Sequence, residues 1–431
     1  MDYKVASISG RYGSTVFWLF LLLMLAKFNI YIGFALKPYM LFCILFFMFH
    51  IGSFYFQRLY LFEMGMLIFY LMYSFTGAFS LYPASSARII FGIILYVSCY
   101  FIVKNIIEKF ETDAVHSAVA NVGIIFNSVS LALYFAGLKS VQFMFEGERV
   151  SEFGVMVDRH YPRLIGLVQD PNFFVFYNTI FFCYYLSNFQ SSKNKVGLGL
   201  TILTNLLTFS RGGLLVVVCL VVLNIFLNNP LKKLKLLLGL TASLAVAGYI
   251  AITVMKFDVY SILQSRINDF SEDGGSGRFT LWGRAWEYFN TNILVGIGAF
   301  NFSDYNMFEN GDPLTAHNTY LDILAESGLI GIVTYLLFLL LVFIKLLNSR
   351  IHKKNPYLFL TFLGLVLQMA FLSVIINDMF FMYIAILSAY LHKEYHKKHV
   401  HVVKELEIQA GKKDNSLKGA AAYYERVNFN R

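Results

Sequence analysis

Long apolar runs, separated by short polar connectors, fill most of the 431-residue chain. A helix of about 17–25 apolar residues is long enough to cross a hydrocarbon core of ~30 Å. Counting such runs predicts about twelve membrane-spanning helices, at approximately 14–32, 36–55, 59–79, 84–103, 114–137, 170–189, 195–209, 212–228, 236–255, 318–346, 357–375 and 378–392. The pattern therefore predicts an all-α polytopic membrane protein.

The composition supports this class and narrows the range of partners. Hydrophobic residues make up 58% of the chain, aromatic residues 18% and charged residues only 14%, which leaves too little polar surface for a water-soluble globule. The net charge of +9 would suit nucleic acid, but the basic residues cluster between apolar runs, where they set topology. We therefore expect no nucleic-acid partner. The four cysteines all lie inside apolar runs, which favours neither a disulfide framework nor a metal site.

The connectors alternate in length and charge. Short connectors carry most of the lysines, so the positive-inside rule places them and both termini in the cytoplasm. The two long connectors must then lie on the outer face, and the first span serves as the insertion signal. The predicted organisation is N-terminal helices over 1–137, a first outer loop over 138–169, central helices over 170–255, a large outer loop over 256–317, C-terminal helices over 318–392 and a cytoplasmic tail over 393–431.

The outer face carries arginines where basic residues are normally scarce. They are Arg149, Arg159, Arg163, Arg211, Arg266, Arg278 and Arg284. A guanidinium group keeps its charge in poorly hydrated surroundings and its planar donors fit phosphate oxygens, so the set points to a bound anion. The alternative is that each arginine pairs with a neighbouring acid, such as Glu146, Glu148, Glu152, Asp158, Asp269 or Asp273.

Two of these arginines lie in short, distinctive segments. In LLTFSRGGLLVVV, Arg211 falls between two predicted spans with almost no room for a loop, and charges at such a boundary are functional or internally paired. The adjacent glycines allow a tight turn and favour an anion contact for Arg211. In PRLIGLVQDPNFFVF, Arg163 precedes a span that Asp170 would cap and Pro171 would begin.

The segment SGRFTLWGRAWEYFNTNILVGIGAF predicts a helix near the end of the large outer loop. Ser276 would cap it, and an apolar stripe recurs at helical spacing through Phe279, Trp282, Trp286, Phe289 and Ile293. Aromatic residues of this kind favour the membrane–water interface. The segment therefore predicts either an interfacial helix that begins with Arg278, or an ordinary amphipathic helix packed on the outer loop.

His317 occupies the last polar position before a predicted span, in LTAHNTYLDILAESGLIG. Of the nine histidines, only His160 and His317 face outside. A neutral imidazole is a suitable general base for a sugar hydroxyl near pH 7. Asn318 and Asp322 follow within about a turn, where they would orient the site or satisfy polar helix contacts. The alternative for His317 is a simple helix cap.

Two of these segments resemble a known family. SGRFTLWGRAWEYFNTNILVGIGAFNF, followed by HNTYLDILAESGLIG, resembles the shared region of bacterial O-antigen ligases and Wzy-type O-antigen or capsule polymerases. FSRGG and PRLIGLVQDPN fit the same pattern, so the resemblance covers about 160–335, whereas the first 135 residues are similar only in hydropathy.

The resemblance implies a GT-C-type glycosyltransferase of the inner membrane that needs no metal or other cofactor. It implies undecaprenyl-pyrophosphate-linked oligosaccharide as the donor on the periplasmic side, and inversion at the anomeric carbon. His317 would activate the acceptor hydroxyl, and Arg211 and Arg278 would hold the pyrophosphate. Arg163 would be a weaker member of that set, with Asn318 and Asp322 in support.

Three functions remain open on the sequence. A polymerase would use a second lipid-linked repeat unit as acceptor, whereas a ligase would use the lipid A-core. The resemblance of RLIGLVQDPNFF to the polymerases and the Phe/Tyr-rich composition favour the polymerase. The partners implied are the lipid-linked acceptor, membrane lipids, a chain-length regulator and a flippase. A lipid or glycan transporter is the third reading, but it would place polar residues at mid-membrane and show repeats, which this chain lacks. The chain also has no nucleotide-binding or metallohydrolase motif.

Overall fold

The computed structural model describes residues 13–31, 35–145, 150–158, 161–227 and 277–410, a few isolated positions between 238 and 253, and the side chains of the last helix as far as residue 396. Helices dominate it: α1 Gly13–Met24, α2 Pro38–His50, α3 Leu61–Thr76, α4 Pro83–Glu108, α5 Thr112–Ser140, α6 Pro171–Ser187, α7 Ser192–Leu207, α8 Arg211–Leu227, α9 Arg278–Thr291, α10 Phe302–Asn310, α11 Thr319–Asn348, α12 Ile351–Lys354, α13 Pro356–Gln368 and α14 Asp378–Ala410.

Two small antiparallel sheets complete the secondary structure. One is the hairpin of β1 Ile30–Tyr31 and β2 Ala35–Leu36, and the other contains β3 Val150–Glu152, β4 Val155–Asp158 and β5 Tyr161–Leu164 in that order. Both belong to connectors between helices. The strands are short, so they shape loops and do not form a layer of their own.

The predicted class, a mostly helical membrane protein, agrees with this architecture. Within the described residues, four helical segments are long and apolar enough to cross a membrane: Leu61–Phe79, Pro83–Glu108, Thr112–Ser140 and Thr319–Asn348. Helices lie in every predicted range except 236–255, which falls largely outside the described residues. The count of twelve spans and the GT-C architecture stay predictions.

Two predicted spans are shorter than their apolar runs. The run 14–32 is helical only to Met24 and then continues into the β1–β2 hairpin. The run 357–375 is helical only to Gln368, and residues 369–377 form an irregular segment. Hydropathy alone could not locate this second break, because the irregular residues are mostly apolar and several of them, such as Met369, Leu372 and Val374, are buried.

Aromatic side chains fill the interior of the helical bundle. Tyrosines are prominent among its largest fully buried side chains, and their hydroxyl groups find acceptors inside the protein. Tyr134 donates to the carbonyl oxygen of Pro162 at 3.2 Å, Tyr185 to that of Ala120 at 2.7 Å, and Tyr383 to that of Leu358 at 2.9 Å. Since a buried hydroxyl without a partner is costly, these bonds explain how so many tyrosines are accommodated.

The connectors gather at two opposite ends of the bundle. At one, which we call the lysine end, Lys104 pairs with Glu63 at 2.6 Å and Lys354 with Glu394 at 2.7 Å. At the other, which we call the arginine end, connectors 77–82, 150–170, 208–210, 292–318 and 369–377 meet; for example, Ser80 donates to Asn301 at 2.6 Å. Lysines are not confined to the first end, since Lys27 donates to the carbonyl oxygen of Phe153 at 2.9 Å, and the location of the short connectors in the cytoplasm stays a prediction.

The segment that leads from α9 toward α10 is inserted beside a break in α11. Gly328 interrupts α11 with φ 57° and ψ −153°. Backbone N–H groups of Ile297 and Gly298 donate to the carbonyl oxygens of Ala325 and Glu326, each at 3.0 Å, and the N–H of Leu329 donates to Ile293 O at 2.8 Å. The break leaves backbone N–H and C=O groups of α11 without partners inside the helix, and the inserted segment forms hydrogen bonds with them. Such bonds are needed because a buried backbone group has no water to bond with.

Candidate active site

The turn before Arg211 connects the end of α7 to the start of α8, and it also contacts the start of α6. Phe209 adopts a left-handed conformation with φ 49°, and Ser210 follows it. The Ser210 hydroxyl accepts a hydrogen bond from the N–H of Gly213 at 3.2 Å and donates one to Asn172 Oδ1 at 2.7 Å. Ser210 thus caps α8 and ties it to the first turn of α6, so the positive ends of two helix dipoles lie side by side next to Arg211.

Arg278 lies on the same small cavity as this turn. The cavity, of about 10 Å³, is lined by Asn172, Ser210, Gly213, Arg278, Gln368 and Phe371. Arg278 is the first residue of α9, which adds a third helix N-terminus. The SRGG turn and Arg278 therefore lie on one cavity, although the two segments are more than sixty residues apart in the sequence, and their joint binding of pyrophosphate stays a prediction.

Arg163 holds the β-sheet of the first outer loop against the Arg211 turn. Its Nε donates to the carbonyl oxygen of Thr208 at 3.0 Å, one terminal nitrogen lies 3.4 Å from Asn172 Oδ1, and the other lies 3.6 Å from Asp158. The pairing with Asp158 is one of the alternatives that the sequence left open. The position of Arg163 beside Asn172 nevertheless brings it to the edge of the cavity.

Arg284 has a structural environment. It contacts Asn306 Oδ1 at 2.7 Å and Asp312 Oδ2 at 3.2 Å, and so joins α9 to the connector after α10. Acid pairing accounts for this arginine. Arg149, Arg159, Arg266 and His160 lie outside the described residues.

His317 has a strained backbone between two fixed neighbours. Its φ of 50° lies in the left-handed region, which is uncommon for a residue with a side chain and concentrates at functional sites. On one side, Ala316 accepts a hydrogen bond from Trp282 Nε1 at 3.0 Å, and its own N–H donates to Asp322 Oδ1 at 2.9 Å. On the other side, Asn318 caps α11 by accepting from Tyr320 N and Leu321 N. The helix cap is therefore Asn318, and His317 is left for another role.

Asp322 and Glu326 are buried anchors. Asp322 holds Ala316, as described above, and is 1% exposed. Glu326, 2% exposed, accepts hydrogen bonds from the N–H of Phe302 at 3.1 Å and from the hydroxyl of Tyr73. Asp322 and Glu326 belong to α11, and they accept hydrogen bonds from the outer segment that precedes it. The two carboxyl groups therefore attach that segment to α11.

Burial is the main reason why the neutral form of His317 is favoured. Burial lowers the pKa of the His317 imidazole, and the Arg278 guanidinium lowers it further, whereas Asp170 and Asp312 act in the opposite direction. The net result is a pKa below the usual value of 6.5. Because a neutral imidazole has a free lone pair, His317 is prepared to accept a proton at neutral pH. His317 lies near the cavity, because Thr319, two residues further on, donates its N–H to the carbonyl oxygen of the cavity residue Leu372 at 2.8 Å.

Part of the site lies in a segment that sequence reasoning assigned to a membrane span. The N–H of Thr319 donates to the carbonyl oxygens of Met369 and Leu372 at 2.8 Å, and its hydroxyl donates to Leu372 O at 2.6 Å. Thr315 donates to Ser373 at 2.9 Å. Residues 369–374 are thus fastened beside His317, and the run contains one polar signal, Ser373, that could have revealed them.

The α9 helix divides the predicted aromatic stripe between two faces. Leu281, Ala285, Tyr288 and Phe289 form the buried face, and Trp282 is half-buried beside it, so only Phe289 and Trp282 of the predicted stripe face the protein. Phe279 and Trp286 are 57% and 54% exposed. Gly277, with φ 73°, stands at the cap position that was predicted for Ser276, which lies outside the described residues. Arg278 does begin the helix, as predicted, and the exposed aromatic residues remain compatible with an interfacial location.

Comparison with known proteins connects this geometry to a family. Residues 196–336 match the family model described as O-antigen ligase. The match includes Arg211, Arg278 and His317, so the resemblance of this region to O-antigen ligases and polymerases is confirmed. Arg163 lies outside the matched region. No curated protein matches the chain.

Proposed function

We propose that this protein is a polysaccharide polymerase of the O-antigen type. It transfers a glycan from undecaprenyl pyrophosphate to a sugar hydroxyl of another lipid-linked repeat unit. In this proposal the protein is a GT-C glycosyltransferase of the bacterial inner membrane, and its arginine end faces the periplasm. The observation that carries the proposal is that Arg278 and the turn before Arg211 line one cavity, while His317 lies two residues before Thr319, which bonds to the cavity residue Leu372. Arg211, Arg278 and His317 all lie inside the region that matches the O-antigen ligase family.

The chemistry requires a base on one side of the anomeric carbon and an anion site on the other. His317 accepts the proton of the acceptor hydroxyl as its oxygen bonds to the anomeric carbon. The bond from that carbon to the pyrophosphate oxygen breaks, and its electron pair leaves with undecaprenyl pyrophosphate. Attack opposite the leaving group inverts the anomeric centre. Each transfer releases one undecaprenyl pyrophosphate and one proton.

The anion site consists of fixed positive charge. Arg211 and Arg278 supply guanidinium groups, and the starts of α6, α8 and α9 add the positive ends of three helix dipoles. Because these groups are already in place, they stabilise the charge that develops on the leaving group with little reorganisation. The mechanism therefore assigns no step to a metal ion.

A ligase is the second candidate, because the matching family model is described as O-antigen ligase. It would use the same donor, base and anion site, and would differ only in the acceptor, the lipid A-core. Purified protein in proteoliposomes distinguishes the two. With a synthetic undecaprenyl-pyrophosphate-linked repeat unit alone, we expect products that contain two or more units and release of one undecaprenyl pyrophosphate per linkage.

The remaining outcomes select among the other functions. Release that depends on added lipid A-core, with no longer glycan made in its absence, would replace the polymerase by the ligase. Movement of the donor across vesicles without any new glycosidic bond would favour the transporter. No release of undecaprenyl pyrophosphate with either acceptor would reject glycosyl transfer altogether.

A further inference from the structure

Two positively charged side chains meet at the lysine end of α3 and α11. Arg58 is exposed and lies shortly before the start of α3, and Lys345 lies in the last turn of α11. Lys345 Nζ is 4.6 Å from the centre of the Tyr60 ring, which holds the ammonium group beside the start of α3. The Arg58 guanidinium interacts electrostatically with both Lys345 and Tyr60, so the three residues form one corner, which we call the Arg58 corner.

The positive charge of the Arg58 corner is not neutralised by a neighbouring acid. Three carboxylates at the lysine end are paired with other bases: Glu63 with Lys104 at 2.6 Å, Glu108 with His392, and Glu394 with Lys354 at 2.7 Å. Within the part of the chain that the structure describes, neither Arg58 nor Lys345 has an acidic partner. Two like charges in this position repel each other, and an anion bound between them would remove the repulsion.

An apolar surface extends from the Arg58 corner along the two helices. The helices pack closely, since a Cβ atom at Gly65 of α3 would lie 3.4 Å from the Cα of Phe338 in α11. Exposed apolar side chains cover their outward faces: Leu61, Met64 and Ile68 on α3, and Leu337, Leu340 and Ile344 on α11. Both segments are long and apolar enough to cross a membrane, so these faces suit acyl chains and the corner lies at the level of lipid headgroups.

We propose that the Arg58 corner binds an anionic phospholipid, with the phosphate between Arg58 and Lys345 and the acyl chains along α3 and α11. A phosphodiester supplies acceptor oxygens to the guanidinium and ammonium groups. A zwitterionic phospholipid fits less well, because its headgroup carries a positive charge of its own. The inference is independent of the proposed function, because the corner lies at the opposite end of the bundle from Arg278 and His317.

Lipid titration of the purified full-length protein tests the inference. The protein is kept in a nonionic detergent, and Tm is measured while phosphatidylglycerol, or phosphatidylcholine with the same acyl chains, is added. A ligand that binds only the folded state raises Tm, so each titration gives an apparent Kd. We expect phosphatidylglycerol to act at lower concentration than phosphatidylcholine. The double variant Arg58→Gln/Lys345→Gln should bind phosphatidylglycerol about 25-fold more weakly, at about fivefold for each basic residue near a membrane surface.

A second pair of lysines supplies the matched control. Lys193→Gln/Lys195→Gln removes the same charge from exposed positions in the first turn of α7, away from α3 and α11, and should leave the apparent Kd unchanged. Where the double variant at the Arg58 corner does not insert stably, Arg58→Gln alone changes only an exposed side chain and should weaken binding about fivefold.

Four outcomes would overturn the inference. Equal apparent Kd values for the two lipids would show that the headgroup charge is not recognised. Unchanged binding of phosphatidylglycerol in the Arg58→Gln variants would show that the lipid binds elsewhere. An equal loss in Lys193→Gln/Lys195→Gln would show a response to net charge alone. A rise in Tm with glycerol phosphate as large as that with phosphatidylglycerol would show a site for free phosphate, with no part played by the acyl chains.

Discussion

Trp282 Nε1 donates a hydrogen bond of 3.0 Å to the carbonyl oxygen of Ala316, the residue that precedes His317. The bond connects α9, which begins with Arg278, to the residue before the candidate base. Asp322 fixes the other side of the same peptide by accepting from the N–H of Ala316. Arg278, which would bind the leaving group, and His317, which would activate the acceptor, are therefore held in fixed positions relative to each other.

Removing the imidazole of His317 should abolish transfer without unfolding the protein. His317→Ala removes the proton acceptor, and we expect a loss of about 10²- to 10⁴-fold in rate. The measurement is glycan ladder intensity in a deletion strain at matched protein level. His50→Ala, an exposed histidine at the lysine end, serves as the control. Normal ladders from His317→Ala would reject the assignment and make His160 the candidate base.

The arginines should be sensitive to replacement by lysine. Arg211→Lys and Arg278→Lys keep the charge but lose the planar donors that fit pyrophosphate, so both should lose most activity. Arg284→Lys preserves the pairing with Asp312 and should be tolerated. The same ladder assay, with membrane insertion checked for each variant, measures the effect. Activity retained in both Arg211→Lys and Arg278→Lys would mean that they act as generic charge, and the pyrophosphate site should then be abandoned.

The pH dependence should respond to the charges around His317. Since its pKa is lowered below 6.5, the imidazole stays neutral at pH 7 and gains a proton only at more acidic pH, where activity should fall. Arg278→Gln removes a charge that lowers this pKa, so the acidic limb of kcat/KM should move to higher pH.

Asp170→Asn is the matched variant, and it should shift the pKa of His317 in the opposite direction from Arg278→Gln. Asp170 raises the pKa of His317, and asparagine can still cap α6, so the acidic limb should move to lower pH. The profiles are measured relative to each variant's own maximum. An acidic limb at the same pH in wild type and in both variants would show that the titrating group is not His317.

Trp282 should act by positioning. Trp282→Phe keeps an aromatic ring and removes the bond to Ala316, so kcat should fall by about fivefold while KM changes little, because one hydrogen bond contributes on the order of 1 kcal/mol. Trp286→Phe on the exposed face of α9 is the control and should keep its kcat. A KM effect alone in Trp282→Phe would point to substrate contact and contradict the positioning role.

Gly328 should be intolerant of a side chain. A Cβ atom there would lie 2.5 Å from the backbone of Leu294, and the backbone conformation is itself unfavourable for alanine. Gly328→Ala should lower Tm in detergent and reduce activity together. Gly199→Ala, in a helix with open space around the glycine, should be neutral or stabilise by up to about 1 kcal/mol. An unchanged Tm in Gly328→Ala would mean that α11 can become continuous at residue 328, and it would contradict the need for glycine there.

The sequence allowed candidate site residues to be selected where a charged or titratable residue stood in an otherwise apolar context. Arg211 between two apolar runs, Arg278 at a helix start and His317 before a span could each be selected from local context, and the structure brings them to one end of the bundle. Trp282 and residues 369–374 could not be selected in that way. Each of these acts through contacts with residues far along the chain, and an apolar run looks the same whether it crosses a membrane or covers a cavity.

The insertion of residues 293–298 beside the broken helix α11 limits how this protein can be re-engineered. Backbone groups of the inserted segment complete the hydrogen bonding of Ala325, Glu326 and Leu329, so neither part is structurally complete alone. A chimera that exchanges the outer loop with a homologous protein at residue 317 would separate these partners. An exchange should therefore keep α9 through α11, residues 278–348, together, and a search for altered acceptor specificity should recombine that block as a whole.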